Sequence, residues 1–367
     1  MKIPFYGIGR FYEKYQHEML DAVHGVYLKG NHFGNETEEL ENELCRFTGR
    51  KFAIGLNSCT DALYLALKTA NIGAGDEVLV TSFSFIASAS PILRAGATPV
   101  FVDISPDTFL MDFTTLENKL TKKTKAIIAV HLFGQTLDMA AVENFSKEHN
   151  LVLIEDAAQA LGAKFNGRKA GTMGLSSCLS FDPTKVISAF GSGGALLTDD
   201  EKVANYVRQL RYHGKTNDND FAFTGLNCRL SGSSCALLTY QIKELLNERI
   251  IRLREIAEIY NQELNGVPDV IIPFLDNNCF HIYHKYVIRS QSRDELRSYL
   301  KNRGIETMIH YPFPLSDYNV FAQDSGEKPI LPVCRQSGKE VLSLPIFPEL
   351  SNEEIYYICD SIKCFKP

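Results

Sequence analysis

Short apolar runs alternate with helix-like segments through the first half of the chain. Apolar residues recur with helical spacing over residues 37–47 and 60–70, and each of these segments precedes an apolar run. Helices that alternate with short buried strands are typical of βαβ units, which build a parallel sheet covered by helices. The pattern predicts an α/β fold with a mostly parallel seven-stranded sheet, its strands at 52–56, 77–80, 99–104, 126–131, 151–155, 178–181 and 195–198.

The last third of the chain has a different pattern. Apolar residues recur every three or four positions from 236 to 264, which predicts one long amphipathic helix that Gly266 and Pro268 end. Because a single core rarely grows beyond ~250–300 residues, a chain of 367 residues is expected to form two units. We place a large α/β domain with an N-terminal arm at 1–240 and a small α+β domain at 241–367, which includes a strand at 284–289 and helices at 293–303 and 352–362.

Composition and charge argue against several classes of protein. A formal net charge of -6 disfavours a broad nucleic-acid interface, which depends on clustered Lys and Arg. No apolar stretch reaches the ~18 residues of a membrane span, and the first ten residues lack a signal-peptide core, so we expect a cytoplasmic protein with no membrane segment. The nine cysteines form no C-x-x-C pair, which predicts reduced and mostly buried thiols instead of disulfides or a metal site.

Two polar residues that follow apolar runs are the first candidates for chemistry, because ligands bind at the carboxyl ends of strands in open α/β sheets. Asp156 could keep the ring nitrogen of a bound cofactor protonated, although an aspartate here could instead cap a helix. Lys185 follows the run 178–181 and precedes the glycine-rich residues 191–194. Partial burial would lower the pKa of its amine enough for attack on an aldehyde, and the alternative is a solvated loop lysine.

Two further positions after strands suggest a site for a phosphorylated ring. Ser58, Cys59 and Thr60 open the predicted helix, where hydroxyls, free N–H groups and the helix dipole could bind a phosphate. Simple capping of the helix by Ser or Thr explains the same residues. Phe85 could stack on a flat ring, or it could be an ordinary core residue.

The order of these residues along the chain resembles that of the DegT/DnrJ/EryC1/StrS sugar aminotransferases. Residues 155–160 and 180–185 are similar to family motifs, and the likeness extends from 28–30 to 342–348. It implies fold type I, the aspartate-aminotransferase fold, with pyridoxal 5′-phosphate as cofactor. It also implies that Lys185 binds the cofactor as a Schiff base, that Asp156 pairs with the pyridine nitrogen and that Gln159 approaches the phenolic oxygen.

The resemblance assigns the rest of the cofactor site as well. Phe85 stands where the family has an aromatic residue against the ring, and Asn227 matches an asparagine that the neighbouring subunit contributes, which implies a homodimer. Two positions depart from the family pattern: Cys59 precedes Thr60 where Gly-Thr is usual, and 231–234 replaces a Glu-rich segment. The implied phosphate contacts are Ser58, the backbone of Cys59, Thr60 and Ser180.

The same resemblance implies a reaction in two halves. L-Glutamate converts the cofactor to pyridoxamine 5′-phosphate, and a nucleotide-linked keto-deoxysugar then takes up the amino group, with the Lys185 amine moving the proton. Residues 309–312 are similar to relatives that aminate C3 of a dTDP-linked keto-6-deoxyhexose, whereas Asp182 replaces a tyrosine common there, so C3 is favoured over C4. Because the substrate carries a pyrophosphate, candidate contacts that could equally be loop or surface residues are His213, Lys215, His310 and Tyr311.

Three alternatives fit the residues less well. Sugar dehydratases of the same family have histidine where this chain has Lys185. A regulatory protein that uses the pocket as a sensor could keep the fold, yet it would not need the complete set of Asp156, Gln159, Ser180 and Lys185. A nucleotide-dependent oxidoreductase would need a G-x-G-x-x-G motif after the first strand, and the sequence has none there.

Overall fold

A seven-stranded sheet lies at the centre of the fold. The computed structural model describes residues 1–30, 35–216, 218, 220–322 and 329–366. The helices in these ranges are α1 (Ile8–Leu28), α2 (Asn35–Thr48), α3 (Cys59–Thr69), α4 (Ser90–Arg94), α5 (Met139–Glu148), α6 (Glu201–Leu210), α7 (Gly232–Tyr240), α8 (Leu246–Leu264), α9 (Arg293–Asn302), α10 (Pro332–Glu340) and α11 (Asn352–Lys363).

The strands form one large and two small sheets. They are β1 (Phe52–Leu56), β2 (Glu77–Thr81), β3 (Thr98–Val102), β4 (Thr124–Val130), β5 (Val152–Asp156), β6 (Lys164–Phe165), β7 (Arg168–Lys169), β8 (Ser176–Ser180), β9 (Gly194–Thr198), β10 (Cys279–Phe280), β11 (Tyr286–Arg289) and β12 (Val341–Leu344). The large sheet has the order β1-β9-β8-β5-β4-β2-β3, a three-stranded sheet has the order β10-β6-β7, and β11 pairs with β12.

The large sheet confirms the predicted mostly parallel arrangement. Strand β9 is antiparallel to both of its neighbours, β1 and β8, and every other neighbouring pair is parallel. The carboxyl ends of β1, β2, β4, β5 and β8 therefore lie at the same edge of the sheet. In a sheet of this kind that edge is where a ligand binds.

The helix predicted at 236–264 is not one regular helix. It consists of α7, a π-helical turn at Gln241–Leu245 and α8. In the π turn the amide of the buried Gln241 accepts a hydrogen bond from the Ser188 N–H (3.0 Å) and donates one to the Ser188 carbonyl (2.8 Å). The predicted domain boundary at 240/241 falls inside this helical run, and the division into two domains stays a prediction.

Helix α1 is absent from the elements that the apolar pattern predicts. It has 21 residues, of which only Phe11, Met19 and Val26 are buried, so its apolar stripe is too sparse to stand out. Phe11 and Met19 pack with Leu237 and Leu245 from the helical run that begins with α7. Neither α1 nor any other helix in the described ranges is long and apolar enough to cross a membrane.

The loop after β4 joins the C-terminal part of the chain to the edge of the large sheet. The N–H groups of Ile282 and Lys285 donate to the carbonyls of Gly134 (3.1 Å) and Phe133 (3.2 Å). Gly134 has φ 98°, and a Cβ there would lie 2.8 Å from the His284 nitrogen. Only glycine allows both this backbone conformation and this close approach. The segment 281–285 is thereby fixed against the edge where a ligand is expected.

Candidate active site

Asp156 is the last residue of β5 and is only 3% exposed. One carboxylate oxygen accepts a hydrogen bond from the Ser88 hydroxyl (2.7 Å), and the other accepts the Ala158 N–H (3.1 Å). The second bond is local, but no helix begins after Asp156, because the chain turns between β5 and β6; Asp156 is therefore not the helix cap that the sequence left open as an alternative. Burial raises the pKa of Asp156, while these two hydrogen bonds and the Lys185 charge act in the opposite direction.

A buried carboxylate with several hydrogen bonds anchors β5. Glu155 is fully buried, and its oxygens lie within hydrogen-bond distance of His131 Nε2 (2.8 Å), the Gly171 N–H (2.7 Å), the Met173 N–H (2.8 Å) and the Ser177 hydroxyl (2.6 Å). His131 Nδ1 accepts the Leu137 N–H (3.1 Å), so Nε2 bears the proton that it donates to Glu155. Burial raises the pKa of Glu155, but the hydrogen bonds outweigh it and leave this pKa below its usual value.

The hydrogen bonds of Glu155 hold together the elements next to Asp156, although the sequence analysis assigned Glu155 no role. Its carboxylate ties β5 to the loop 171–173 and to β8, and the adjacent residue in β5 is Asp156. The signal in the sequence was a charged residue at the end of the apolar run 151–155. A buried charge at such a place requires partners, and those partners come from distant parts of the chain.

Lys185 follows β8 in a loop that Asp182 orders. The Asp182 carboxylate accepts the Thr184 N–H (3.0 Å) and hydroxyl (2.8 Å), and its carbonyl accepts the Lys185 N–H (2.9 Å). Lys185 is half-buried, and no residue in the described ranges hydrogen bonds to its amine. Desolvation lowers the pKa of Lys185, whereas the negative charges of Asp182 and Asp156 oppose the shift. The amine is therefore easier to deprotonate than a solvated lysine.

The residues predicted to hold a phosphate meet where α3 begins. Ser58 caps α3, because its hydroxyl oxygen accepts the Asp61 N–H (3.1 Å). Gly194 lies between the ends of β1 and β8, in register with Leu56 on one side and Ser180 on the other. A Cβ at Gly194 would lie 2.4 Å from the Cys59 nitrogen, so the glycine allows these three backbone segments to meet. Ser58, Cys59, Thr60 and Ser180 are thus brought together.

Cys59 is the departure from the family pattern that lies inside this group. It is the first residue of α3 and is buried, as are six of the other eight cysteines, and all nine are free thiols. Burial raises the pKa of the Cys59 thiol well above its ordinary value, and the Asp156 carboxylate adds to the rise. A neutral thiol supplies bulk and no charge next to the site. The second departure, 231–234, forms the start of α7, where the Ser231 hydroxyl accepts the Ser234 N–H (3.2 Å).

Gln159 and Tyr311 are in direct contact. The Gln159 side chain accepts the Phe133 N–H (2.9 Å) and donates to the Tyr311 hydroxyl (3.2 Å). The Tyr311 ring stacks on Phe133, with centroids 6.3 Å apart and an interplanar angle of 14°, and meets Phe83 edge-on at 5.9 Å. Burial raises the pKa of the Tyr311 hydroxyl, which keeps it protonated. A predicted cofactor residue and a predicted substrate residue therefore share one hydrogen bond.

His310 and the unpredicted Lys285 lie close enough to Lys185 for its charge to act on both. His310 Nδ1 lies 2.9 Å from the Ser343 hydroxyl in β12, and burial, reinforced by the charges of Lys285 and Lys185, lowers the pKa of His310 to about 3. Lys285 is 7% exposed and lines a cleft together with Lys185 and Tyr6. The signal that was missed is a lysine inside the predicted strand 284–289, where apolar and aromatic residues surround it.

The remaining predicted residues lie at other places. Phe85 is 58% exposed and precedes the short 3₁₀ turn that holds Ser88, so it is not a core residue. Asn227 is exposed, and its backbone forms an isolated antiparallel β-bridge with that of Tyr212. His213 is exposed, and the Lys215 amine lies 5.8 Å from the centre of the Tyr212 ring. Within the described ranges no side-chain hydrogen bond or ring contact joins His213 or Lys215 to Lys185.

The donor set matches the groups of a pyridine phosphate. Hydroxyls and the N-terminus of α3 suit a phosphate, and the buried carboxylate of Asp156 suits a protonated ring nitrogen. The amine of Lys185 has no hydrogen-bond partner among the described residues. An α/β sheet with these groups at the carboxyl ends of its strands defines a fold type I transferase that depends on pyridoxal 5′-phosphate.

The comparison with family models identifies the chain more closely. Residues 14–363 match the DegT/DnrJ/EryC1/StrS aminotransferase family, and the chain belongs to this family. It is therefore a sugar aminotransferase with pyridoxal 5′-phosphate as its cofactor. The match spans nearly the whole chain, as the resemblance from 28–30 to 342–348 implied.

Characterised relatives differ in their stated roles. The chain is 39% identical to a pleiotropic regulatory protein of Geobacillus stearothermophilus, over 100% of this chain and 99% of the relative. It is 35% identical to the dTDP-3-amino-3,6-dideoxy-alpha-D-galactopyranose transaminase of Aneurinibacillus thermoaerophilus, over 98% of each. It is also 35% identical to the UDP-2-acetamido-2-deoxy-3-oxo-D-glucuronate aminotransferase of Pseudomonas aeruginosa, over 92% of each.

Solved structures agree with the fold. DesV of S. venezuelae superimposes with a TM-score of 0.94 at 35% identity, covering 99% of this chain and 98% of that one. NtdA of Bacillus subtilis, solved with bound pyridoxamine 5′-phosphate, has a TM-score of 0.91 at 26% identity and covers 98% of this chain and 84% of that one.

Proposed function

We propose that the protein transfers an amino group from L-glutamate to C3 of a nucleotide-linked keto-6-deoxyhexose, with dTDP as the favoured nucleotide. The product would enter the biosynthesis of amino sugars for O-antigen-type glycans of lipopolysaccharide. The observation that carries the chemistry is the desolvated amine of Lys185, which has no partner in the described ranges, at the strand edge that also holds the buried Asp156.

Each residue of the site has a definable task in this reaction. Bound pyridoxal 5′-phosphate withdraws electrons from the substrate carbon that bears the amino group and so makes its proton acidic. The Asp156 carboxylate, oriented by Ser88 and Ala158, would keep the positive charge on the ring nitrogen. The Lys185 amine, whose pKa burial lowers, would move the proton from the α-carbon of the donor to the cofactor in the first half-reaction, and from the cofactor to the sugar carbon that receives the amino group in the second. Gln159, fixed by the Phe133 N–H, orients Tyr311.

The assignment of the amino group to C3 of the sugar is supported by the stated substrates of two relatives and by the motif at residues 309–312. The stated substrates of the A. thermoaerophilus and P. aeruginosa enzymes both have the amino or oxo group at position 3. They differ in nucleotide, dTDP in one and UDP in the other. His310 and Tyr311 line the site beside Lys285 and Gln159, where they can contact the sugar ring. We assign His213 and Lys215, on a loop after α6, to the pyrophosphate.

We further propose a homodimer in which Asn227 completes the phosphate site of the neighbouring subunit. Asn227 is exposed, so a second chain can reach it. Helix α1 exposes Leu20, Tyr27 and Leu28, apolar side chains that a partner would cover. We also keep the division into a cofactor domain at 1–240 and a small domain at 241–367, with the cleft between Lys185 and Lys285 bridging them.

The experiment that tests this function separates the two halves of the reaction. The protein is loaded with pyridoxal 5′-phosphate and mixed with L-glutamate, and loss of the yellow absorbance is followed. The resulting form is then offered dTDP- and UDP-linked 3-keto and 4-keto sugars, and mass spectrometry and NMR locate the new amino group. A yellow band that persists with L-glutamate but bleaches with another amino acid would contradict the donor. An amino group at C4 would contradict the assignment to C3.

A regulatory role is a second candidate, because the relative at 39% identity is described as a pleiotropic regulatory protein. The same experiment discriminates it from the first. A regulator that uses the pocket as a sensor would bind the cofactor and yet convert none of the keto sugars offered. Turnover of even one nucleotide sugar at the site of Lys185 favours the enzymatic role.

A further inference from the structure

Lys285 is a buried lysine that forms no ion pair with an acidic side chain in the part of the chain that the structure describes. It is 7% exposed, and no side chain in the described ranges forms a hydrogen bond or ion pair with its amine. The amine lies 4.6 Å from the centre of the Tyr6 ring and 5.4 Å from that of Phe5. Cation–π contacts offset only part of the cost of desolvating an ammonium group. A buried amine without a carboxylate partner among the described residues indicates a ligand that supplies one.

Of the five titratable groups in the described ranges that face Lys285, three are basic and one is acidic. Lys185 repels its charge, and Asp182 is the acidic side chain that attracts it. Asp182 is already bound to the backbone and hydroxyl of Thr184 and makes no ion pair with Lys285. Burial, then the repulsion by Lys185, lowers the pKa of Lys285 to about 7. The titratable groups in contact or electrostatic interaction with it are Tyr6, Asp182, Lys185, His284 and His310.

The position of Lys285 is fixed by the fold. Its N–H donates to the Phe133 carbonyl (3.2 Å), and the Phe133 N–H donates to the Gln159 side chain (2.9 Å). Gln159 in turn donates to Tyr311. Lys285 also lines the same cleft as Lys185. The amine is therefore held at a set place relative to the residues that carry out the reaction.

We propose that the Lys285 amine binds a carboxylate of the substrate that reacts at Lys185. This assignment rests on the proposed function and adds the chemical class that the cleft selects. A single amine offers one positive charge, which matches a monovalent carboxylate. A phosphate dianion is better served by the hydroxyls and helix N-terminus at Ser58 and Thr60. Under the proposed function the carboxylate belongs to the amino donor, because a keto-6-deoxyhexose has none. An acidic sugar would supply the same group, and experiment separates the two sources.

The test compares Lys285→Met with Lys285→Arg, and Lys169→Met is the matched control. Lys169 is half-buried where Lys285 is buried, but its pKa is likewise lowered by burial, and its amine likewise lies over an aromatic ring, that of Phe47 at 4.6 Å. It lies in the small sheet of β6, β7 and β10, outside the cleft. Lys285→Met removes the charge and keeps most of the bulk, whereas Lys285→Arg keeps the charge.

Isothermal titration calorimetry on the cofactor-loaded protein measures the affinity for carboxylate ligands without turnover. One arm titrates glutarate, which carries the two carboxylates of the donor and no amino group. The other compares UDP-glucuronate with UDP-glucose, which differ in one carboxylate. We expect Lys285→Met to weaken binding of the matching carboxylate ~10- to 100-fold, the range for a lost charge-assisted hydrogen bond. We expect Lys285→Arg to restore part of it and Lys169→Met to match the wild type.

The pattern of losses identifies the source of the carboxylate. Loss for glutarate, together with a raised KM and an unchanged maximal rate for L-glutamate, assigns Lys285 to the donor. Loss of the preference for UDP-glucuronate assigns it to the sugar. If Lys285→Met leaves all of these affinities within about twofold of the wild type, the proposal is wrong. A wild type that does not react with L-glutamate would contradict the proposed donor, and the two calorimetric arms would still decide the role of Lys285.

Discussion

The active site has a strand-side wall, with Asp156 and Glu155, and an amine wall, with Lys185 and Lys285. The two walls differ in how many hydrogen bonds their charged groups form. On the strand side, Asp156 and Glu155 have hydrogen bonds to both carboxylate oxygens. On the side of the loop amines, Lys185 and Lys285 have none from side chains in the described ranges. A buried carboxylate that is fully bound stays in one place and keeps its charge. An unpaired buried amine is costly in the free protein and is explained by what binds to it.

The largest effect is expected from removing the unpaired amine nearest the chemistry. Lys185→Ala should lower the rate of the L-glutamate half-reaction by ~10³-fold or more, since a positioned proton carrier contributes ~10²–10⁴-fold and this residue also holds the cofactor. Absorbance after mixing with L-glutamate measures that rate. Lys169→Ala, at a lysine outside the cleft, is the control. A variant that keeps its rate within about tenfold of the wild type would remove Lys185 from the mechanism.

On the partnered wall, the next effect comes from neutralising Asp156. Asp156→Asn keeps the shape and an oxygen that can accept the Ala158 N–H, but it removes the negative charge. We expect kcat to fall ~10²-fold with a smaller change in KM, the size seen when a preorganised electrostatic partner is lost. Asp199→Asn is the control, because Asp199 is a half-exposed partner of Arg50. Equal rates for both variants would show that the Asp156 charge is not used.

The strand-side wall could be predicted from the sequence because it is local. Asp156 follows its own apolar run, and Ser58 stands at the junction of its own strand and helix, so each position follows from a short segment. The seven strands were predicted for the same reason. Their ends moved by up to two residues, because sheet pairing and not the apolar run decides where a strand ends.

The positions of Lys285, on the amine wall, and of His310 could not be predicted in this way. Lys285 reaches the cleft only because Gly134 lets the segment 281–285 dock on the loop after β4. That contact joins residues about 150 positions apart, and nothing in the local pattern of either segment specifies it. Helix α1 was missed for a related reason, since its buried residues pack on α7, more than 200 positions later. The motif at 309–312 pointed to His310 only through the resemblance.

A third prediction concerns the place where the two strands and α3 meet. Gly194→Ala would put a Cβ 2.4 Å from the Cys59 nitrogen and the Ser58 carbonyl carbon, so backbone must move. We expect a loss of ~1–3 kcal/mol in the free energy of unfolding, as for overpacking in a core, and weaker cofactor binding. Urea unfolding and cofactor titration measure the two effects. Gly25→Ala in α1, where a Cβ would meet nothing within 4 Å, should be neutral or stabilising. Similar losses in both variants would contradict the role of the close approach.

The smallest effect tests the cost of the unpaired wall directly. The pKa of Lys285 is about 7 in the folded protein, against ~10.4 for a lysine in an unfolded chain. Between these values the unfolded state binds the proton and the folded state does not, so the stability of the wild type rises with pH. The free-energy cost of burying the protonated Lys285 amine is complete below pH ~7 and disappears above pH ~10.4.

Replacing Lys285 with methionine should therefore stabilise the cofactor-free protein even though it impairs function. We expect a gain of roughly 1–2 kcal/mol in the free energy of unfolding near neutral pH, because the cation–π contacts to Tyr6 and Phe5 offset part of the desolvation cost. Urea unfolding at several pH values should show this gain shrinking as the pH rises and staying constant below neutrality. A loss of stability that does not vary with pH would mean that Lys285 is an ordinary packing residue. Only the replacement of an amine that is buried at a free-energy cost can stabilise the fold by removing its charge.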